Sequence, residues 1–452
     1  MVERVTILGG GPAGLAAGYY LRKAGFGVEV LEAAGEVGGN CRTVEIDGFR
    51  FDTGAHRFHD KDPEITQEVR RLIGEGGLHE VEVPSRILSE RSYYHFPIRP
   101  KDILLSAGAG KALRVAVDLA RRALRPRGGP PRSFEEFARA TYGDWLAERF
   151  LLPYTSKLWG LPCGALSAEV GTARLGGLRP FDLIREFFLS DEKNSRHFDG
   201  LFLYPAEGYG DIPLALARAI GPASIRLNSR VEGIEAEGGR LTAFRLAGGR
   251  REVLAGPVLC TLPLPLVARM LAGCLSAGAR AAAARIRYRS LRLLFLALRR
   301  TSVSPDASIY FPDPNVPFTR IHEPRNRSRR MAPAGMTSLV VEFPFFAGEA
   351  VGEAPAGELA ETALTLLERW GLARRAELLF ARSLSLPAAY PVMEIGYQEG
   401  RDRVLGEVSK IRNLKILGRG GRFAYAHLHD MMREGLAAAE EIQGERNRPS
   451  GG

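Results

Sequence analysis

The 452-residue chain has little cysteine, little lysine, three tryptophans and no long uninterrupted apolar run. Its four cysteines, Cys41, Cys163, Cys260 and Cys274, lie far apart and form no C-x-x-C pair. That excludes a disulfide scaffold and offers no zinc-ligand spacing, so no metal is expected, and a reducing cytoplasmic setting fits. Two uncharged stretches imitate membrane segments. Val5–Leu21 holds five glycines and Pro12 and follows Glu3 and Arg4, which makes a poor secretion signal. Val253–Ala268 contains Pro257, Pro263 and Pro265 and falls short of the roughly 20 apolar residues that span a bilayer. No transmembrane helix is expected. Only eight of the 62 basic residues are lysines, which leaves 54 arginines and a formal net charge of +10. The basic residues are spread along the chain without a stripe or a nucleic-acid motif, so nucleic acid is not an expected partner. Compositional bias accounts for many arginines; the sharper reading is that some hold a phosphate or carboxylate as planar forks.

What is present is an ordinary folded composition, 45% apolar and 25% charged, in a chain long enough for about three domains' worth of core. The first 32 residues read as strand, turn, helix and strand: Val5–Leu8, a helix carrying Leu15, Tyr19 and Leu21 that ends near Gly25, then Val28–Leu31. That order predicts a parallel βαβ unit. Alternating runs at Arg230–Glu235 and Arg240–Leu246 flank Gly238–Gly239 and predict hairpins, followed by a buried strand at Val258–Cys260. Helical pattern covers Phe134–Phe150 and Ala356–Trp370, and strand pattern covers Leu291–Leu298 and Ser338–Phe343. A final strand, glycine loop and helix follow at Leu414–Leu417, Gly418–Tyr425 and about Asp430–Gln443. The expectation is an α/β fold. A Rossmann-like domain, with a parallel sheet and a small antiparallel β-meander, is assembled from residues 1–62, 202–265 and 388–443. A mixed α+β substrate domain is inserted as 63–201 and 266–387, and a flexible tail runs over 444–452.

Gly9-Gly10-Gly11-Pro12-Ala13-Gly14 fits G-x-G-x-x-G between the first strand and its helix. Gly9 allows the tight turn, Gly11 lets backbone approach a pyrophosphate, and Gly14 lets the helix pack on the strand. The free N–H groups and positive end of the helix then face the phosphates. Glu32 closes the next strand 18 residues after Gly14, where its carboxylate can accept ribose hydroxyls. Strand, turn, helix and acid together mark a dinucleotide site.

Two further segments are Gly38-Gly39-Asn40-Cys41-Arg42-Thr43 and Gly54-Ala55-His56-Arg57-Phe58-His59. With these the chain resembles the flavoprotein superfamily of amine oxidases, protoporphyrinogen oxidases and UDP-galactopyranose mutases. The resemblance implies FAD, with Gly9, Gly11, Pro12, Ala13, Gly14, Glu32, Gly38, Gly39 and Arg42 holding it and Gly54, Ala55 and His56 along the flavin. It implies non-covalent binding, since no cysteine or histidine stands in a recognisable flavinylation motif. In motif order the chain is most similar to the mutases. Tyr154-Thr155-Ser156-Lys157-Leu158-Trp159-Gly160, Phe318-Thr319-Arg320-Ile321-His322-Glu323, Tyr390-Pro391 and Gly418-Arg419…Asp430-Met431 recur in the same sequence. Carried over, Val231 falls at an adenine-contacting position, Gly418, Arg419, Asp430 and Met431 join the cofactor set, and His56, Arg174, Arg320 and Arg419 are the catalytic candidates.

Leu428 and His429 stand just before Asp430, where mutases carry paired tyrosines that help hold the substrate pyrophosphate, so the substrate is left open. Either Asp430 or His429 takes the family's acidic position. Each candidate also has a plain structural reading: Arg320 as the partner of Glu323, His56 as a satisfied loop histidine, Val231 as a strand core residue, Trp159 and Tyr154 as packing. Ile103–Arg127 reads either as a solvated helix or as an amphipathic helix able to make peripheral membrane contact. Three functions remain. The first is a flavoenzyme with mutase-like chemistry at flavin N5, acting on a sugar nucleotide or other glycosylated, phosphate-bearing and therefore anionic small molecule. The second is an oxidoreductase taking hydride from a C–N, C–C or C–O bond. The third is a non-catalytic FAD-binding protein.

Overall fold

The computed structural model describes residues 4–96, 129–175 and 201–447, with scattered positions between 98 and 118. Most of the Ile103–Arg127 segment lies outside the described residues. A five-stranded parallel sheet runs in the order Leu414–Ile416, Val258–Cys260, Arg4–Leu8, Gly27–Leu31 and Ile225–Arg226. Leu8 sits in register with both Leu31 and Cys260, so the apolar ends of three strands meet beneath the glycine turn. The first helix, Pro12–Lys23, has Gly11 as its N-cap and Pro12 at its first position, where a missing N–H costs nothing.

Two glycines let this helix lie close to its neighbours. A Cβ on Gly14 would stand 2.0 Å from the Gly9 carbonyl oxygen. One on Gly435, in the last helix Leu428–Asn447, would stand 2.6 Å from the Ala17 nitrogen. The last helix therefore seats directly on the first. Because it runs to Asn447, Gly444–Asn447 are helical and not the start of a tail; 448–452 lie outside the described residues.

The meander consists of Val231–Glu237, Arg240–Leu246 and Arg251–Val253, turned at Gly238–Gly239 and Gly248–Gly249. A second, seven-stranded sheet has the order Leu378–Pro391, Tyr288–Leu298, Thr337–Phe345, Arg320–His322, Ser308–Tyr310, Ser85–Ser89 and Ser92–Phe96. Leu294, Leu296, Val341 and Phe343 on this sheet pack with Leu359, Ala363 and Leu367 of the helix Ala356–Arg369. The strand Leu378–Pro391 is continuous through position 388, where a domain boundary was expected. Likewise Leu201–Pro205 pairs with Leu78–Glu82 across the boundary expected at 202. The helical pattern of Phe134–Phe150 breaks at Gly143 (φ +80°), after which helical turns continue to Trp159. Trp159 is packing, as its plain reading has it: it is 2% exposed and donates from Nε1 to the Pro391 carbonyl.

Close packing at the glycine turn gives a contrast between neighbours. Gly14→Ala should lower unfolding stability by about 1–3 kcal/mol through overpacking. Gly11→Ala should leave the apoprotein's melting temperature unchanged, because its Cβ would meet nothing nearer than the Gly39 Cα at 3.9 Å. Thermal melts of the two apoproteins check this.

Candidate functional site

A cavity of about 680 Å³ opens at the N-terminus of the first helix and extends to the seven-stranded sheet. Gly9, Gly11, Pro12 and Ala13 form its floor at one end, with Glu32 beside them. Glu32 is oriented by backbone: Gly10 N–H donates to Oε2 at 2.7 Å and Ala34 N–H to Oε1 at 2.8 Å. Each carboxylate oxygen keeps lone-pair capacity for a hydroxyl.

Opposite the turn, Gly39 approaches so closely that a Cβ there would sit 3.2 Å from the Gly11 Cα. Gly38 N–H fixes the approach by donating to the Gly10 carbonyl at 2.8 Å. Two side-chain-free backbones facing a cavity at a helix N-terminus suit a pyrophosphate, so the residues present fit a dinucleotide cofactor. Gly418 completes this end; a Cβ on it would come within 2.8 Å of the Ala13 Cβ.

Gly54, Ala55, His56 and Met431 also line the cavity. His56 stacks on Tyr209 at 4.8 Å, and its Nε2 lies 2.9 Å from the Asn40 carbonyl oxygen, which can only accept, so Nε2 carries the hydrogen. Burial pushes its pKa down to about 3, and the nearby Arg327, Arg320 and Arg419 add to the fall. His56 is thus neutral, with its Nε2 hydrogen taken by the Asn40 carbonyl.

Arg320 reaches the cavity, but not with the partner its sequence suggests. Its Nη2 donates to both oxygens of Glu342 at 2.8 Å, because the two residues face each other in adjacent antiparallel strands. Glu342 is 1% exposed. Glu323, the expected partner, instead accepts from the Val303 and Ser304 N–H groups and from Thr337.

Arg419 is placed differently. Its guanidinium lies 5.0 Å from the Tyr390 ring centre and 4.4 Å from that of Tyr425, and those rings are nearly parallel. Its Nε and Nη2 are buried with no hydrogen-bond partner among the described residues. Tyr425 was missed in the sequence because the tyrosines were sought immediately before Asp430. Counting six residues on from Arg419 finds it.

Five candidates stand outside the cavity lining. Gly14 packs the helix on its strand, and Gly38 shapes the loop behind Gly39. Arg42 forms an ion pair with Glu36. Val231 is a core residue of the meander, opposite Leu246. Asp430 accepts the His427 N–H at 2.8 Å at the start of the last helix, the helix-capping role its position implies. Burial works to raise its pKa, but the bonds from His429 and His427 hold it down at about 2. His429 is itself buried and sits 3.2 Å from that carboxylate, so both residues considered for the acidic position meet here. Arg174 is on the helix Glu169–Leu175, and its side chain lies outside the described residues.

Against known proteins, the family described as flavin containing amine oxidoreductase matches residues 12–442. The chain belongs to that family. It is therefore a flavin-dependent enzyme, which sets aside the non-catalytic reading. Among solved structures, reduced UDP-galactopyranose mutase superposes with a TM-score of 0.83 at 20% identity, covering 99% of this chain and 97% of that one. Putrescine oxidase bound to putrescine gives 0.65 at 18% identity, covering 98% and 99%. Protoporphyrinogen oxidase 2 of Arabidopsis thaliana is 40% identical over 78 residues, 17% of this chain and 15% of that protein. Carotenoid 3,4-desaturase of Haloarcula japonica is 50% identical over 52 residues, 12% and 10% respectively. These matches thus span 15% and 10% of those two curated relatives. No helix among the described residues is long and apolar enough to cross a membrane, and none of their His, Cys, Asp and Glu side chains form a metal-binding group.

The partner assignment of Arg320 is measurable. A double-mutant cycle on unfolding free energy should give a coupling of about 1 kcal/mol or more for Arg320 with Glu342 and near zero for Arg320 with Glu323.

Proposed function

We propose that the chain binds FAD non-covalently and acts on a glycosylated, phosphate-bearing metabolite such as a sugar nucleotide, with mutase-like chemistry at flavin N5. One observation carries this reading: Arg419 lines the cavity, and its guanidinium holds two buried nitrogens with no hydrogen-bond partner among the described residues. A buried cation lacking a partner is costly, and an anion supplied by a ligand removes that cost. The flanking faces of Tyr390 and Tyr425 hold the guanidinium in position, and Arg320 faces the same cavity with its charge oriented by Glu342. Planar forks of this kind suit phosphate oxygens.

The adenosine half of FAD fits Glu32 and its pyrophosphate fits the cavity end lined by the backbones of Gly11 and Gly39, which supports FAD over a mononucleotide flavin. When bound, the flavin supplies either a nucleophilic N5 or a hydride acceptor. The chain's own contribution is to hold the leaving phosphate and exclude water around the reacting carbon. His56, neutral and bonded to Asn40, shapes the loop without exchanging protons near pH 7.

A second reading, hydride removal from a C–N, C–C or C–O bond, is favoured by the apolar part of the lining, which includes Ile87, Phe134 and Phe150. The two readings separate on reduced holoprotein incubated with a panel of sugar nucleotides. Pyranose–furanose interconversion seen by proton NMR, without oxygen uptake, selects the first. Oxygen consumption with an amine or polycyclic substrate, and no interconversion, selects the second. For the first, Arg419→Met should weaken uridine diphosphate binding at least about ten-fold, the loss expected for one charge-assisted contact. A flavin spectral titration normalised to bound flavin reads it, and acid or heat should release intact FAD.

A further inference from the structure

The cavity has two chemically distinct ends. The far end is walled by Ile87, Phe96, Phe134, Phe150, Leu151 and Val170, and among the described residues there Tyr154, Thr155 and Tyr310 bring hydroxyls. These residues come from the strands Ser85–Ser89, Ser92–Phe96 and Ser308–Tyr310 and from the helical layer between 134 and 175. The described charged side chains nearest the chamber on these elements are drawn elsewhere. Arg86 is held by Asp306 at 2.6 Å, and Arg149 pairs with Glu90. Arg139 binds Asp144 and Glu148, and His95 lies 2.9 Å from Asp102. Lys157 donates to the Asp313 and Val316 carbonyls at 2.8 and 3.0 Å. Among the described residues, that end offers a ligand hydrocarbon and a few hydroxyls.

Tyr310 is the junction. Its ring packs on Phe96 at 5.2 Å and on Tyr154 at 5.7 Å, while the Arg320 guanidinium lies 5.8 Å from its centre. The apolar chamber thus begins one ring's width from a cation that faces the flavin cavity. A nucleobase placed there would bring several hydrogen-bonding edges to walls with few partners, and unmet polar groups are costly. A hydrocarbon meets no such cost.

We propose that the substrate is amphipathic: its phosphate is held by Arg419 and Arg320, and a hydrocarbon arm bonded to that phosphate fills the chamber behind Tyr310. This rests on the anionic-substrate reading above and narrows it from a nucleotide to an alkylated or isoprenoid-like phosphate.

The test titrates the holoenzyme with ethyl phosphate, octyl phosphate, octanol and uridine diphosphate, followed by flavin spectrum and calorimetry. Each buried methylene contributes up to about four-fold in affinity, so the six extra methylenes of octyl over ethyl phosphate should give at least about 30-fold. Leu151→Asn and Phe96→Ser, both at half-buried wall positions, should each cut that ratio at least about five-fold and leave ethyl phosphate unchanged. Either variant suffices if the other fails to fold. Equal binding of ethyl and octyl phosphate would overturn the chamber while sparing the anionic reading. So would uridine diphosphate binding more tightly than octyl phosphate. Equal binding of octanol and octyl phosphate would instead overturn the anionic head, and the preceding functional reading with it.

Discussion

The site depends on how closely separate chain segments approach the N-terminus of one helix. Gly11 and Gly39 leave no side chain between them, and Gly418 presses on Ala13 from a segment some 400 residues later in the chain. The parallel register of Leu8 with Leu31 and Cys260 makes this meeting possible, because it ends three strands at one level. The Gly435 contact with the first helix locks the C-terminal segment in place. With these contacts the cavity has a floor that backbone alone can present to a pyrophosphate. A side chain at any of the three glycines would occupy that floor or force the segments apart.

Charge at the other end is governed by burial. Arg320 is neutralised within the protein by Glu342, so it can stay buried in the apoprotein and still present a free edge. The Arg419 guanidinium lies against the rings of Tyr390 and Tyr425. Cation–π contact stabilises a guanidinium by about 0.5–2 kcal/mol, but it does not satisfy the nitrogen donors. Arg320 is thus charge-paired within the fold, though its Nε too is buried without a hydrogen-bond partner, whereas Arg419 has no ion pair among the described residues. A neutral His56 is compatible with the site: three arginines around it already supply positive potential.

Local features were legible from the sequence. Gly9–Gly14, Glu32 and the βαβ order are contiguous patterns, and each maps onto the element expected of it. Pairings set by tertiary register were not. Glu323 is three residues from Arg320 and looked like its partner, whereas Glu342 faces it only because the strands Arg320–His322 and Thr337–Phe345 are antiparallel neighbours. Arg42 resembled a phosphate contact in a glycine-rich segment, but Glu36, six residues earlier, holds its guanidinium. Tyr425 escaped notice because it was sought by its spacing to Asp430, and the loop after Arg419 sets that spacing. The hydrocarbon chamber escaped notice for a related reason: its walls come from five elements whose inward faces cannot be assigned without their packing.

The proposed role of Arg419 is to hold a substrate anion in the cavity at the N-terminus of the first helix. A crystal structure of the flavin-loaded protein soaked with inorganic pyrophosphate tests it most directly. The expected result is an anion oxygen within hydrogen-bonding distance of the Arg419 guanidinium, with Tyr390 and Tyr425 still flanking it. Pyrophosphate bound elsewhere, with the guanidinium nitrogens satisfied by the flavin or by protein groups, would contradict it.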